Sequence, residues 1–346
     1  MKSQKIIMSI KNRKKDHVEL TVNSDVFYKK SSGFERYDFI HNALPETNLQ
    51  DVHTEAVFLG RKFSYPLFIS SMTGGYSEAG AINAQIARFC EKWNLPFGVG
   101  SQRAMLEDPS EIESFSVVRD AAPTAFIAAN IGGAQLIGGL QNNDIDLLIE
   151  SIRANAIIVH LNPLQELMQP EGDTAFEGIE KGIKQLAERV QCPVIVKETG
   201  AGINKQCAEQ LLCNGVKVID VAGAGGTSWA KVENLRDRQK NPLHNFNDWG
   251  LPTVDCIVEV NELRKRYKFE MIASGGIRSS FDVVKSLALG ADFAATAQPV
   301  IKALVDGGPD ALDSLMETWH RETRIILTLL GCRNIRDVTR KHLVEI

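Results

Sequence analysis

A (β/α)8 barrel of the TIM type, with an N-terminal extension and extra C-terminal helices, is the fold this 346-residue chain predicts. Three observations lead there. Short apolar runs of β character recur eight times from Tyr65 onward, with helical patterns between them. Nearly every run stops at a polar or glycine-rich cluster, and side chains just past strand ends are where such barrels keep their chemistry. No linker rich in Gly, Ser or Pro divides the chain, so a closed barrel is preferred to two smaller units.

The runs are 66–70, 97–100, 125–130, 156–160, 193–198, 218–222, 270–273 and 292–297. After the first, Ile82, Ile86 and Phe89 share a helical face, with Ser77 as a candidate N-cap. Ile145, Leu148, Ile149 and Ile152 do the same before the fourth strand. Ile179, Ile183, Leu186 and Val190 precede the fifth, and Phe281, Val284, Leu287 and Ala288 follow the seventh. Residues 1–64 read as an extension, 65–306 as the barrel, and 307–346 as added helices. The insert Ala230–Asp248 is polar, charged and without a clear period. It follows the sixth strand and reads as a lid or a partly mobile loop.

A net charge of −4 sets up no field for nucleic acid. No apolar run approaches the roughly 20 residues of a membrane helix, and the basic N-terminus lacks the apolar core of a secretory signal. Six cysteines without a CxxC pair read as reduced thiols of a cytoplasmic protein. Basic residues crowd Lys2–Lys15. On charge alone that is a solvated tail; the alternative is an arm that closes over an anionic substrate.

The fourth strand ends in His160-Leu-Asn-Pro-Leu-Gln165-Glu166, which gathers an imidazole, two amides and a carboxylate. Such a set can take an anionic ligand together with a hard cation. Glu166 suits Mg²⁺, which takes oxygen ligands and often one carboxylate plus substrate phosphate oxygens. Arg13, Lys14 and His17 could neutralise a diphosphate. Ser274-Gly-Gly-Ile-Arg278 leads into a helix, and with Ala297-Gln298 it forms a candidate phosphate cradle. Lys197 could form a Schiff base, act as a fixed cation beside a cofactor, or pair with Glu198. Polar ends on strands one, two, three and five suggest a planar ligand, and flavin mononucleotide (FMN) fits. Trp229, in the glycine-rich loop after strand six, points to the site rather than the core.

Taken in order, Asn12-Arg-Lys-Lys-Asp-His17, His41-Asn-Ala-Leu-Pro-Glu46, S-M-T-G-G, G-S-Q-R, H-x-N-x-x-Q-E, V-K-E-T-G, G-A-G-G-T-S-W and S-G-G-I-R span most of the chain. The chain resembles the type 2, FMN-dependent isopentenyl-diphosphate delta-isomerases. That resemblance implies interconversion of isopentenyl and dimethylallyl diphosphate in isoprenoid biosynthesis, with reduced FMN, NADPH and Mg²⁺ and no net redox. It implies that Arg13, Lys14, His17, Ser101, Gln102, Arg103, His160, Asn162 and Gln165 hold substrate and that Glu166 binds Mg²⁺. Met72, Thr73, Gly74, Ser101, Asn130, Lys197, Thr227, Gly275, Gly276, Arg278, Ala297 and Gln298 would hold FMN. His160, Gln165, Lys197 and Trp229 are the catalytic candidates. Gln165 is expected chiefly to orient substrate, since an amide is not basic. Some members carry Ser where this chain has Ala222, which removes one hydroxyl contact. The family's homotetramers and octamers imply a homo-oligomer here, with Phe34, Phe39, Ile40 and the C-terminal helices as contacts.

The rival reading is an FMN oxidoreductase of a 2-hydroxy acid or a nucleotide. The first needs a His base near strand seven and the second a nucleophilic Cys after strand six; Ser274–Arg278 and Gly223–Trp229 contain neither.

Overall fold

Apolar runs rich in β-branched residues, too short for helices and bounded by turn residues, pair side by side. The result is a closed parallel barrel of eight strands. The computed structural model describes residues 2–138, 140–236 and 242–346, with side chains other than those of residues 2–12 and 77. It opens with helix α1 (Lys2–Asn23), strand β1 (Tyr37–Phe39) and the hairpin β2 (Ala56–Phe58)–β3 (Arg61–Phe63). The barrel follows: β4 (Leu67–Ile69), α2 (Ser77–Trp93), β5 (Phe97–Gly98), α3 (Arg103–Glu107), α4 (Glu113–Ala121), β6 (Ile127–Gly132), α5 (Asn142–Glu150) and β7 (Ala156–Leu161). It continues through α6 (Pro163–Met168), α7 (Ile179–Arg189), β8 (Val194–Glu198), α8 (Lys205–Cys213), β9 (Val218–Asp220), α9 (Trp229–Arg236) and α10 (Thr253–Asn261). β10 (Glu270–Ala273), α11 (Ser280–Ala288), β11 (Phe293–Thr296), α12 (Gln298–Leu329) and β12 (Leu343–Glu345) complete it. β11 pairs with β4 to close the ring, and β12 pairs antiparallel with β1, tying the tail to the extension.

Two apolar layers hold the fold. One lies between strands and helices, with Ile127, Ile157, Val196 and Ile219 against residues such as Ile86, Leu148 and Ile183. The other fills the barrel floor, where the β2–β3 hairpin delivers Phe58 and Phe63 to Phe68, Phe126 and Phe293. Phe58 meets Phe293 at 5.1 Å between centroids, and Phe63 meets Phe126 edge-on at 5.9 Å. Each such ring contributes about 1.5–3 kcal/mol by burial.

Four details depart from the sequence reading. Ser77 is the first helical residue of α2 rather than its cap, because the extended Tyr76 occupies the cap position. Phe281 turns outward against Phe39, at 5.8 Å, while Val283, Val284 and Ala288 carry the buried face of α11. The insert after β9 starts as α9 rather than as a loop. Its buried positions, Ala230, Val232 and Glu233, include a charge, so an apolar period could not show it. Residues 237–241 of that insert lie outside the described residues. Finally, α12 breaks at Gly308, whose φ of 68° is followed by Pro309. Among the described residues no helix is long and apolar enough to cross a membrane.

Candidate active site

A cavity of about 300 Å³ opens at the carboxyl ends of the barrel strands, roofed by α1. Every residue proposed from sequence lines it except Gln102. That side chain is fully buried and turned into the scaffold: its Nε2 donates to Leu148 O at 3.0 Å and its Oε1 accepts Asn130 N at 2.9 Å. Gln102 therefore satisfies backbone groups behind the site and is not a substrate contact in this geometry.

From Arg13 onward α1 is packed over the barrel mouth and is not a solvated tail. Arg13, Lys14, His17, Val18 and Thr21 recur at helical spacing and face the cavity together. Lys14 Nζ donates to Ser101 O at 2.9 Å and sits over the Phe115 ring. Burial first, and then the charge of Arg13, pull the Lys14 pKa down to about 7. Opposite it, Arg103 is held by Glu107 at 2.7 Å and Asp173 at 2.9 Å.

Glu166, in the first turn of α6, accepts three hydrogen bonds. Asn162 Nδ2 donates at 2.9 Å, Gln169 Nε2 at 2.6 Å and Asp173 N at 2.8 Å. Gln169 is buried, and its Oε1 has no protein partner. A carboxylate only accepts, so the amide nitrogen must face Glu166, which leaves the amide oxygen free.

β7 and β8 place His160 beside Lys197 in register. Asn130 Nδ2 donates to Val99 O at 3.0 Å, so its Oδ1 accepts from His160 Nδ1 at 2.9 Å. That assigns the ring proton to Nδ1 and leaves Nε2 as an acceptor. Burial, followed by the charges of Lys197 and Lys14, lowers the His160 pKa to about 3, so the ring is neutral near pH 7. Lys197 does not pair with the Glu198 carboxylate. Glu198 turns back to accept the N–H groups of Gly200, Ala201 and Gly202. Lys197 Nζ instead lies 3.9 Å from Asp220 Oδ2, whose other oxygen accepts Ser274 Oγ at 2.5 Å.

Glu233 is the functional side chain that sequence reading missed. It is fully buried on α9, one turn beyond Trp229, and ties three segments together. His17 Nε2 donates to it at 2.8 Å, Gln165 Nε2 at 3.1 Å and Arg236 Nε at 2.8 Å. Burial alone would raise its pKa. Hydrogen bonding and charge from His17, with Arg236 and the Gln165 amide, overcome that and hold it at about 2. Trp229 packs edge-on against His17 at 5.1 Å. A carboxylate one helical turn from a site tryptophan was the available signal.

Across the cavity, Gly275 and Gly276 adopt φ of 98° and 76°. A Cβ on Gly275 would lie 2.0 Å from Gly223 O. Only glycine fits, and its backbone stays open to a ligand. Arg278 Nη2 donates to Gly225 O at 3.1 Å beneath the Phe27 ring, another cavity residue absent from the sequence set.

Residues 160–345 match the family of FMN-dependent dehydrogenases. The isopentenyl-diphosphate delta-isomerase of Chlorobium luteolum is 45% identical over 97% of this chain and 96% of its own length. The chain belongs to the isopentenyl-diphosphate delta-isomerase family. The isomerase of a Nostoc species is 42% identical, over 96% of this chain and 94% of its own. Among solved structures, a mandelate oxidase with a monooxide FMN adduct aligns at a TM-score of 0.63 and 18% identity, covering 91% of this chain and 89% of that one. A flavocytochrome b2 variant aligns at 0.69 and 17%, covering 95% and 82%. At those identities the two share only the fold.

As a member of that family the chain carries out an FMN-dependent isomerisation on an FMN-type barrel. Its residues fit the cofactor. The glycine cradle at β10–α11 accepts no side chain, and the buried Ser71 Oγ on the cavity wall has no partner. A ligand acceptor would satisfy that hydroxyl. The oxygen set of Glu166 and Gln169 suits a hydrated hard cation in the isomerase site.

Proposed function

We propose that this isomerase moves the double bond of isopentenyl diphosphate to give dimethylallyl diphosphate without net redox. NADPH would serve only to reduce the flavin, and Mg²⁺ would bind with the diphosphate. The observation that supports this most is the pairing of a cationic rim, Arg13, Lys14 and Arg103, with the oriented carboxylate of Glu166.

The geometry supports the following roles. Arg13, Lys14, Arg103 and Ser101 would hold the diphosphate, with Glu166 on Mg²⁺, which neutralises phosphate oxygens when bound. Met72, Thr73, Gly74, Thr227, Gly275, Gly276, Arg278, Ala297 and Gln298 would hold FMN. Reduced FMN, when bound, supplies a proton donor and acceptor at its ring nitrogens. Lys197 would face the flavin as a fixed cation. Asn130 acts through His160, since both ends of its amide are already engaged. Gln165 is fixed by Glu233 and Asn162 and orients substrate. His17, Val18 and Trp229 would shield the five-carbon unit from water.

Lys14 gives this reading a pH signature. Its amine is mostly neutral above pH 7, and a bound diphosphate anion favours the ammonium. Binding at pH 8 should take up close to one proton, roughly, by linkage, and affinity should fall as pH rises above 7. Calorimetry of diphosphate binding in buffers of different ionisation enthalpy measures the uptake. Heats independent of buffer, or an uptake that survives Lys14→Gln, would remove Lys14 from the anion site.

The chain is further proposed to act as one domain, with residues 1–64 as the closing extension. Six unpaired cysteines suit a reducing cytoplasm. Exposed Ile40, Phe281, Ile325 and Leu329 beside Phe39 support a homo-oligomer, a tetramer or octamer. Light scattering that reads only 38.2 kDa would exclude it.

The deciding experiment is anaerobic incubation with isopentenyl diphosphate, FMN, Mg²⁺ and NADPH, followed by NMR in D₂O. Dimethylallyl diphosphate should form over many turnovers per NADPH consumed. Stoichiometric NADPH consumption, or no dependence on Mg²⁺, would overturn the reading.

A further inference from the structure

Asp173 lies in the turn between α6 and α7 and touches both charge-bearing ends of the rim. Its Oδ2 accepts Arg103 Nη1 at 2.9 Å and Gln135 Nε2 at 3.1 Å. Its own N–H donates to Glu166 Oε2 at 2.8 Å, the oxygen that also takes Gln169. The turn comes back close to Glu166: a Cβ on the preceding Gly172 would lie 1.8 Å from Glu166 O, so only glycine allows that approach.

Arg103 therefore has two anchors, Glu107 on Nε and Asp173 on Nη1. Two anchors fix the plane of a guanidinium; one leaves it free to pivot. Displacements near 1 Å in such a site cost about a hundredfold in rate.

We propose that Asp173 is a positioning residue of the diphosphate–cation end. Its carboxylate sets the plane of Arg103 while its N–H sets Glu166, so the anion-binding and cation-binding groups are held as one unit. The proposal rests on the reading that Arg103 meets the diphosphate and Glu166 meets Mg²⁺. It accounts for a carboxylate placed where charge alone would oppose an anionic substrate.

The test uses the FMN-loaded enzyme with Asp173→Ala, Asp173→Asn, Arg103→Ala and the Ala/Ala double variant. Asp173→Ala keeps the N–H to Glu166 but frees the turn from Arg103 and Gln135, so KM for isopentenyl diphosphate should rise about tenfold and the Mg²⁺ concentration for half-activation should rise with it, kcat changing less. Asp173→Asn keeps an acceptor oxygen and should fall between; it also decides the matter if the alanine variant does not fold. The flavin spectrum should not move. Mn²⁺ binding with inorganic diphosphate, read by loss of the free-ion EPR signal beyond that with diphosphate alone, should weaken in parallel. The double variant should be no worse than Arg103→Ala, since coupled residues are not additive. Full additivity, or an unchanged Mg²⁺ and Mn²⁺ response, overturns the proposal. If Arg103→Ala itself leaves KM unchanged, the underlying assignment fails; if it raises KM while both Asp173 variants are silent, only the positioning role fails.

Discussion

Glu233→Ala should destabilise the protein by about 3–5 kcal/mol, the usual cost of removing one partner from a buried ionic cluster. KM for isopentenyl diphosphate should rise with it. The carboxylate is fully buried and holds His17 of the roof, Gln165 of α6 and Arg236 of its own helix. Without it, the His17 imidazole loses its acceptor, the half-buried Arg236 keeps only Glu171, and α1 loses its tie to α9. Glu233→Gln keeps the volume but turns an NH₂ toward donors, so it should recover little. The pH dependence has a definite sign. The folded pKa, about 2, lies below the ordinary 4.5. The stabilisation is thus fully present above pH 4.5 and is lost as pH falls toward 2. Urea unfolding of wild type and Glu233→Gln at pH 7 and pH 3 checks it: the gap should narrow at the lower pH. A gap that widens there would show that Glu233 is not the anion of this cluster.

Gly275→Ala should yield a folded but flavin-poor protein, with FMN affinity reduced about a hundredfold or more. Two effects combine. The backbone is left-handed, which costs an L residue about 1–2 kcal/mol. The new methyl would also meet Gly223 O at 2.0 Å, so β10's loop must move away from the loop after β9. Gly138→Ala is the control, because its φ is 80° but nothing lies within 4 Å of a Cβ there. It should pay the backbone cost alone and keep its flavin. FMN fluorescence quenching on titration into apoprotein reads both. Equal flavin retention in the two variants would mean that the cradle does not touch the cofactor.

The sequence made legible whatever depends on neighbours along the chain. The eight barrel strands appear where apolar runs stand, because length and flanking turns mark a buried strand locally. The strand-end groups also fall around one cavity, since a parallel barrel puts every carboxyl end on one face. What failed was what needs a third dimension. Gln102 has the right position but the wrong direction, because two buried backbone groups required its amide. Glu233, Asp173 and Asp220 are acids whose partners sit tens of residues away, and nothing local separates them from solvated charges. Phe281 follows a helical period yet faces out, where Phe39 meets it.

The phenylalanine floor has a consequence for traffic. With Phe58, Phe63, Phe68, Phe126 and Phe293 plugging one end, molecules reach the cavity from the end that α1 covers. Substrate and any bound cofactor would therefore share one mouth, and each would have to pass α1.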